Sequence, residues 1–281
     1  MSLCAEPYTT YRQSTPLRYF LLIVTLSLCG TVNALAQNPT LRFAVAGQMI
    51  SEVSLTELTD TITPVEIHFY NPLMSKKKRY LALPVKDVLD FVFESQWRGG
   101  EFSDIAFTAL DGYQAISNLN ALTEPGGYLA FEDLDWETGW EPVGRKLADP
   151  GPFFLVWTEK HQTTANRFPW PWQVAEIGIL RFNDQYPAVV PLGVTANSAV
   201  YQGFQTFRMR CLRCHSMDQQ GGKIGPDLNA PQSIVSYRTE KMIKAFIKQP
   251  SQFRYSRMPD HNDLSDEQLD ALYQYLKHQQ H

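Results

Sequence analysis

The chain has 281 residues, of which 29 are acidic and 25 are Lys or Arg, and it is 44% hydrophobic and 19% charged. This is the composition of a folded globular protein with room for about two domains. It argues against a disordered chain. The net charge of −4 also argues against nucleic acid as a partner.

The N-terminus carries the pattern of an export signal. Two arginines precede Tyr19–Cys29, an uncharged and mainly apolar run, and Ala34-Leu35-Ala36 follows it. The run is too short to span a bilayer, and the order of basic, apolar and small residues is typical of a cleaved signal peptide. We predict that residues 1–36 are removed, that the mature chain starts near Gln37, that it is periplasmic, and that no membrane span remains. An uncleaved anchor and a buried strand are the alternatives.

Both cysteines of the mature chain lie in the segment Cys211-Leu212-Arg213-Cys214-His215. This C-x-x-C-H order is the pattern for covalent attachment of a c-type haem. The two thiols add to the two vinyl groups of the porphyrin, and the imidazole of His215 approaches the iron from one face. We therefore predict one haem c, held by Cys211 and Cys214, with His215 as an axial ligand of the iron.

Two other uses of a cysteine pair compete with this interpretation. A structural zinc site needs four protein ligands, usually with a second cysteine pair, and the mature chain offers no further cysteine. A thioredoxin-like dithiol follows a β-strand. The segment before the motif instead has helical spacing, because apolar residues recur at Val200, Phe204, Phe207 and Cys211. The haem interpretation is therefore favoured.

The second axial ligand is predicted to be Met258. It lies 43 residues after His215, far enough for the chain to pass around the porphyrin and approach the opposite face. Thioether ligation raises the potential of the iron relative to ligation by two imidazoles. The methionines within two residues of the motif cannot readily reach across the ring. His261 is the alternative and would make a bis-His centre.

The loop and the helix that follow the motif also have marked features. The carbonyl group of Pro226 is the candidate acceptor for the free N–H of the His215 ring, because such a bond fixes the tautomer of a ligating imidazole. Ser265 and Gln268 form the pattern of a capping box. This box predicts the start of a C-terminal helix with one apolar face.

The motifs Gly203-Phe204, Cys211-x-x-Cys214-His215, Gly225-Pro226-Asp227-Leu228 and Met258-Pro259 occur together in residues 196–281. In this combination the region resembles a class I cytochrome c domain. The resemblance implies a small all-helical fold, one-electron transfer and a haem edge that is partly exposed to partner proteins.

The preceding part, residues 37–190, mixes strand and helix signals. Two segments alternate and predict half-buried strands, Val65–Phe69 and Asp104–Ala109. The continuous apolar run Phe153–Trp157 predicts a buried strand. The apolar residues of Val85–Phe93 follow helical spacing and predict a helix. Residues 184–195, with two prolines and few charges, are the predicted linker to the second domain.

The order of Arg79–Leu83, Asp111-Gly112-Tyr113 and Gly151–Trp157 is similar to that of the oxidoreductase molybdopterin-binding (sulfite-oxidase-like) fold. In enzymes of that family a cysteine before the helix ligates molybdenum. This chain has no cysteine between Cys29 and Cys211. The resemblance therefore implies a fold and not the activity, and it argues against a bound molybdopterin.

The predicted architecture is an α+β domain at residues 37–190 followed by an all-α cytochrome c domain at residues 196–281. Two functions compete. In the first, the protein is an electron carrier whose N-terminal domain docks a redox partner protein. In the second, it is a haem-containing molybdopterin-type dehydrogenase with a catalytic N-terminal domain. The missing cysteine favours the carrier over the enzyme. A haem-based sensor would require an open distal position.

Overall fold

The computed structural model describes residues 38–144, 147–163, 167–253, 256 and 258–280. The predicted signal peptide lies outside these residues. Among them, no helix is long and apolar enough to cross a membrane.

The N-terminal part of the described chain contains both strands and helices, as the sequence predicts. In the described residues of this part, two 3₁₀ helices, Gln96–Arg98 and Leu119–Thr123, lie between the longer elements. In chain order the elements are β1 (Thr40–Val45), β2 (Gln48–Ser54), α1 (Leu55–Thr61), β3 (Val65–Asn71), β4 (Lys76–Pro84), α2 (Val85–Phe93), β5 (Asp104–Ala109), β6 (Gln114–Asn118), β7 (Gly127–Asp133), β8 (Phe154–Trp157), β9 (Val174–Leu180) and α3 (Phe182–Gln185).

These strands form two sheets. The first has five strands in the order β2-β1-β9-β5-β6, and the second has four in the order β3-β4-β7-β8. All neighbouring pairs are antiparallel except β1 and β9, which are parallel. Every residue of β8 is buried, so the continuous apolar run of the sequence does form a buried strand. One hydrophobic core joins both sheets and α2.

The C-terminal part is mainly helical. A single turn of π-helix, Phe207–Cys211, continues the helix Ala199–Thr206 into the C-x-x-C-H segment. The elements are α4 (Ala199–Thr206), β10 (Ser216–Met217), β11 (Gln220–Gly221), α5 (Ile234–Tyr237), α6 (Glu240–Lys248) and α7 (Asp266–His278). The capping box of Ser265 and Gln268 is present at the start of α7, as predicted.

The prediction that this part is entirely helical is wrong in one detail. The strands β10 and β11 pair as a two-residue antiparallel ladder. Between them the chain reverses at Asp218 and Gln219, which both have positive φ angles, and this reversal makes the ladder possible. The ladder follows His215 directly, so it fixes where the chain turns after the attachment motif.

The predicted linker packs against both parts. Tyr186 and Val189 are buried, and they belong to a second hydrophobic core with Phe204, Phe207 and Tyr275. The Tyr275 hydroxyl donates to the Val189 carbonyl over 2.7 Å. The described residues from Asn38 onward accordingly pack as one compact unit. The division into domains at residues 190–196 stays a prediction.

Candidate functional site

The C-x-x-C-H segment forms one helical turn after the π-helix. The carbonyl oxygen of Cys211 accepts hydrogen bonds from the amide of Cys214 at 3.0 Å and from the amide of His215 at 2.8 Å. Residues three and four positions apart share one face of a helix. The turn therefore presents both thiols and the imidazole on the same side.

The helix that carries this turn is positioned by a close crossing with α7. Gly203 lies against the backbone of Ala271, and a Cβ atom at this position would overlap the Ala271 carbonyl group. The rings of Phe204 and Phe207 contact the ring of Tyr275, with centroids 5.9 and 5.2 Å apart. Glycine is needed here because any side chain would push the two helices apart.

The imidazole of His215 is held by the loop that follows. Its Nδ1 atom lies 2.7 Å from the Pro226 carbonyl oxygen, the acceptor named from the sequence. Gly225 packs against the ring so closely that a Cβ atom would overlap it. A hydrogen bond at Nδ1 places the proton there and leaves the lone pair of Nε2 for a metal.

His215 has the protonation state that a metal ligand requires. Burial lowers the pKa of His215, against the opposing effects of the Pro226 hydrogen bond and the charge of Asp227. The neutral imidazole, which is the form that binds a metal, therefore predominates at neutral pH. Burial also raises the pKa of Cys211 to about 12 and raises that of Cys214. No disulfide joins Cys211 and Cys214.

Asp227 organises the loop beneath the histidine. Its carboxylate accepts hydrogen bonds from the Ser216 hydroxyl at 2.7 Å and from the amides of Gln219 at 2.6 Å, Asn229 at 2.8 Å and Ala230 at 2.7 Å. Burial alone would raise the pKa of this carboxyl group, but these hydrogen bonds lower it below its ordinary value. The charged form therefore stabilises the loop that carries Pro226.

Replacing Asp227 with Asn should lower the free energy of unfolding by about 1–3 kcal/mol at pH 7, because amide donors lose their charged acceptor. Since the folded pKa is depressed, the stabilisation is present above the unfolded value of about 4 and is lost as pH falls through the folded pKa. Denaturant titrations at pH 7 and near pH 3 measure the free energy of unfolding of each variant. Asp87→Asn, at an exposed position, is the control. The account is contradicted if wild type and Asp227→Asn differ in free energy of unfolding by the same amount at both pH values.

Met258 lies partly buried in the loop before α7. Its amide donates to the Ser256 hydroxyl at 3.1 Å. The same loop is tied to the attachment turn by Arg210, whose guanidinium contacts the carboxylate of Asp263 at 2.6 and 2.8 Å. The structure thus connects the loop of Met258 to the attachment segment, although the role of Met258 as a ligand stays a prediction.

His261, the alternative distal ligand, lies between Met258 and α7 in the same loop. It is partly buried, and its amide donates to the Lys248 carbonyl at 3.0 Å. Burial lowers the pKa of His261, and the positive charges of Arg210, Arg213 and His215 lower it further. His261 is therefore within electrostatic range of the attachment motif and remains the alternative distal ligand.

The residues present fit haem c. Besides two thiols and an imidazole with an available Nε2, the C-terminal part has large apolar side chains that are about half exposed. Such surface is suited to cover a porphyrin face. These side chains and their exposed fractions are Ile224 at 47%, Tyr237 at 52%, Met242 at 43% and Phe253 at 46%.

Sequence reasoning missed the ion pairs that hold the motif in place. Arg208 and Arg210 lie within three residues of Cys211, but their carboxylate partners lie far away in the chain. Arg208 pairs with Asp104, which is 104 residues earlier. The clustering of arginines around the cysteines was the only signal, and it does not identify the partners.

One comparison with known proteins matches this region. The family model for cytochrome c oxidase, cbb3-type, subunit III matches residues 198–276, which is just over a quarter of the chain. No curated protein matches the chain. The matched range contains the attachment turn, the Pro226 loop and most of α7. Residues 198–276 are therefore a cytochrome c domain, which implies haem c and a role in electron transfer.

Proposed function

We propose that the chain is an exported c-type cytochrome that carries single electrons on one covalently bound haem, with His215 and Met258 as axial ligands. The observation that carries the proposal is the attachment turn, in which Cys211, Cys214 and His215 share one face while Pro226 orients the imidazole. Electron transfer through a bound haem needs no substrate site.

The residues of the chain have separate tasks in this function. Haem c supplies reversible one-electron chemistry at its iron. The two cysteines fix the porphyrin covalently, and the Pro226 carbonyl holds the His215 ring in one tautomer. Ile224, next to Gly225 beside the His215 ring, would help to exclude water from the haem. Two protein ligands retained in both oxidation states keep the geometry nearly constant, so little reorganisation accompanies electron transfer.

Replacing Met258 with His should keep two strong axial ligands but lower the haem potential, because imidazole stabilises ferric iron more than a thioether does. The weak long-wavelength charge-transfer band of Met–haem ligation should disappear from the oxidised spectrum. Replacing Met258 with Ala should instead open the distal position, so that the ferrous protein takes up carbon monoxide.

His261→Gln is the matched control for these variants and should leave the band intact. If the wild type lacks the band and His261→Gln changes the spectrum, the distal ligand is His261. If the band persists in Met258→Ala, a different methionine is the distal ligand. Rapid binding of carbon monoxide by the unmodified ferrous protein contradicts the carrier function and favours a sensor.

The N-terminal part is proposed to dock a redox partner protein. Its strands and helices, together with the motifs at Arg79–Leu83 and Gly151–Trp157, support the sulfite-oxidase-like assignment. Export rests on the basic, apolar and small-residue order of residues 1–36. An intact mass that begins near Gln37 in the periplasmic fraction supports cleavage, whereas retention of residues 1–36 contradicts it.

One observation favours a second candidate, the haem-containing molybdopterin-type dehydrogenase. A cleft of about 670 Å³ in the N-terminal part is lined by basic, acidic and aromatic side chains, among them Lys77, Arg79, Asp135 and Trp136. Metal analysis of protein from a host that makes both cofactors separates the candidates. Iron alone supports the carrier. Stoichiometric molybdenum supports the enzyme.

A further inference from the structure

The loop between α6 and α7 carries Met258 and has hydrogen bonds of its own. The His261 amide donates to the Lys248 carbonyl at 3.0 Å. The Asp260 carboxylate accepts from the Ser251 amide at 3.2 Å and from the Ser251 hydroxyl at 2.8 Å. These bonds connect the loop to itself and to the end of α6. They define the shape of the loop, but they do not set its distance from the attachment turn.

The ion pair of Arg210 with Asp263 connects this loop to the attachment turn. One terminal nitrogen of the Arg210 guanidinium lies 2.8 and 2.6 Å from the two carboxylate oxygens of Asp263. The Arg210 side chain is 16% exposed, and that of Asp263 is 53% exposed. A charge-assisted contact to both oxygens, with one partner mostly shielded from water, is stronger than an ordinary surface pair.

The two partners belong to the two segments that would supply the axial ligands. Arg210 is the residue before Cys211, so it moves with the turn that carries both thiols and His215. Asp263 follows Met258 in the loop. A segment held by few contacts opens more often when one of those contacts is removed. The ion pair therefore favours the arrangement in which the loop stays against the turn.

The strength of this contact matters because a thioether is a neutral and comparatively weak ligand. Opening of the loop would withdraw the Met258 sulfur from the iron, and an external ligand such as carbon monoxide can then bind ferrous iron in its place. The rate of carbon monoxide uptake is proportional to the fraction of molecules in which the loop is open.

We propose that Arg210 is a positioning residue, which holds Asp263, and with it the loop of Met258, against the attachment turn and so keeps the thioether on the iron. The inference rests on the proposed function, because it requires Met258 as an axial ligand of a haem that is bound at Cys211 and Cys214.

The test is the rate of carbon monoxide uptake by the ferrous full-length protein. Arg210→Gln should raise this rate about three- to tenfold, since it removes one partly shielded ion pair. The charge-transfer band of the oxidised protein should remain, because the open form is still a small fraction. Asp263→Asn removes the charge of the exposed partner and should raise the rate by a similar factor. The double variant should show no further rise, because both changes break the same contact.

Arg210→Lys and Lys248→Gln are the matched controls. Arg210→Lys keeps the positive charge, and a single nitrogen makes the contact in wild type, so its rate should lie closer to that of wild type than to that of Arg210→Gln. Lys248→Gln breaks the pair of Lys248 with Asp266, which flanks the same loop at 2.8 Å but has side chains that are 42% and 83% exposed. An exposed pair contributes little, so this rate should stay within about twofold of wild type.

The outcomes separate the inference from the proposed function. If wild type shows the charge-transfer band and Arg210→Gln takes up carbon monoxide at the wild-type rate, the inference alone is overturned. It is also overturned if the effects of Arg210→Gln and Asp263→Asn multiply in the double variant, because the two side chains then act separately. If wild type lacks the band, the ligand role of Met258 in the proposed function is wrong and the inference fails with it.

Discussion

A chain in which Cys211 and Cys214 are both replaced with Ala should release all of its haem into acidic acetone, whereas the haem of wild type should stay with the protein. The reason is that each of these two sulfurs forms one of the two thioether bonds to the haem. The two cysteines lie one helical turn apart beside His215. Each single variant should retain at most one thioether bond and mature poorly. Absorbance of the extracted and protein-bound fractions measures the result.

The matched control is the double replacement of Cys4 and Cys29, the other two cysteines of the chain. Both residues lie in the predicted signal peptide, so this variant should leave covalent haem in place. If the Cys211 and Cys214 double variant still holds haem through the extraction, covalent attachment at this motif is wrong.

Replacing Arg208 with Leu should reduce the free energy of unfolding by about 3–5 kcal/mol, because it leaves the buried carboxylate of Asp104 without its partner. Adding Asp104→Asn should recover part of the loss, since an unpaired amide costs less to bury than an unpaired charge. Denaturant titrations of the single and double variants give these values.

Arg42→Leu is the control for this pair. Arg42 pairs with Glu176 at 3.3 Å, and the two side chains are 47% and 31% exposed. An exposed pair contributes about 0–1 kcal/mol, so this variant should unfold nearly as wild type does. Equal losses for Arg208→Leu and Arg42→Leu would show that the Asp104 pair does not anchor the sheet to the attachment segment.

The sequence predicted those elements whose signal is local. The helix Val85–Phe93 and the strand Asp104–Ala109 have the bounds expected from hydrophobic spacing. The capping box at Ser265 was also recognisable, because both of its residues lie within one turn. The C-x-x-C-H motif could be identified because thioether attachment requires two thiols and an imidazole at fixed spacing.

The remaining features depend on contacts between distant segments. The apolar spacing from Val200 to Cys211 predicted one continuous helix, yet the last turn is a π-helix that ends at Cys211. The pairing of Asp104 with Arg208 connects a strand of one sheet to the attachment segment. This pairing leaves no local signal, because a single charged residue has the same appearance in sequence whether it is solvated or buried in a pair.

The central claim is that the protein carries single electrons on one covalently bound haem, and an optical redox titration of the purified full-length protein tests it most directly. The account predicts a single reversible transition of the haem absorbance, with a slope of about 59 mV for each tenfold change in the ratio of oxidised to reduced protein. A transition with the two-electron slope of about 30 mV, or no reversible change of the haem bound at Cys211 and Cys214, would contradict it.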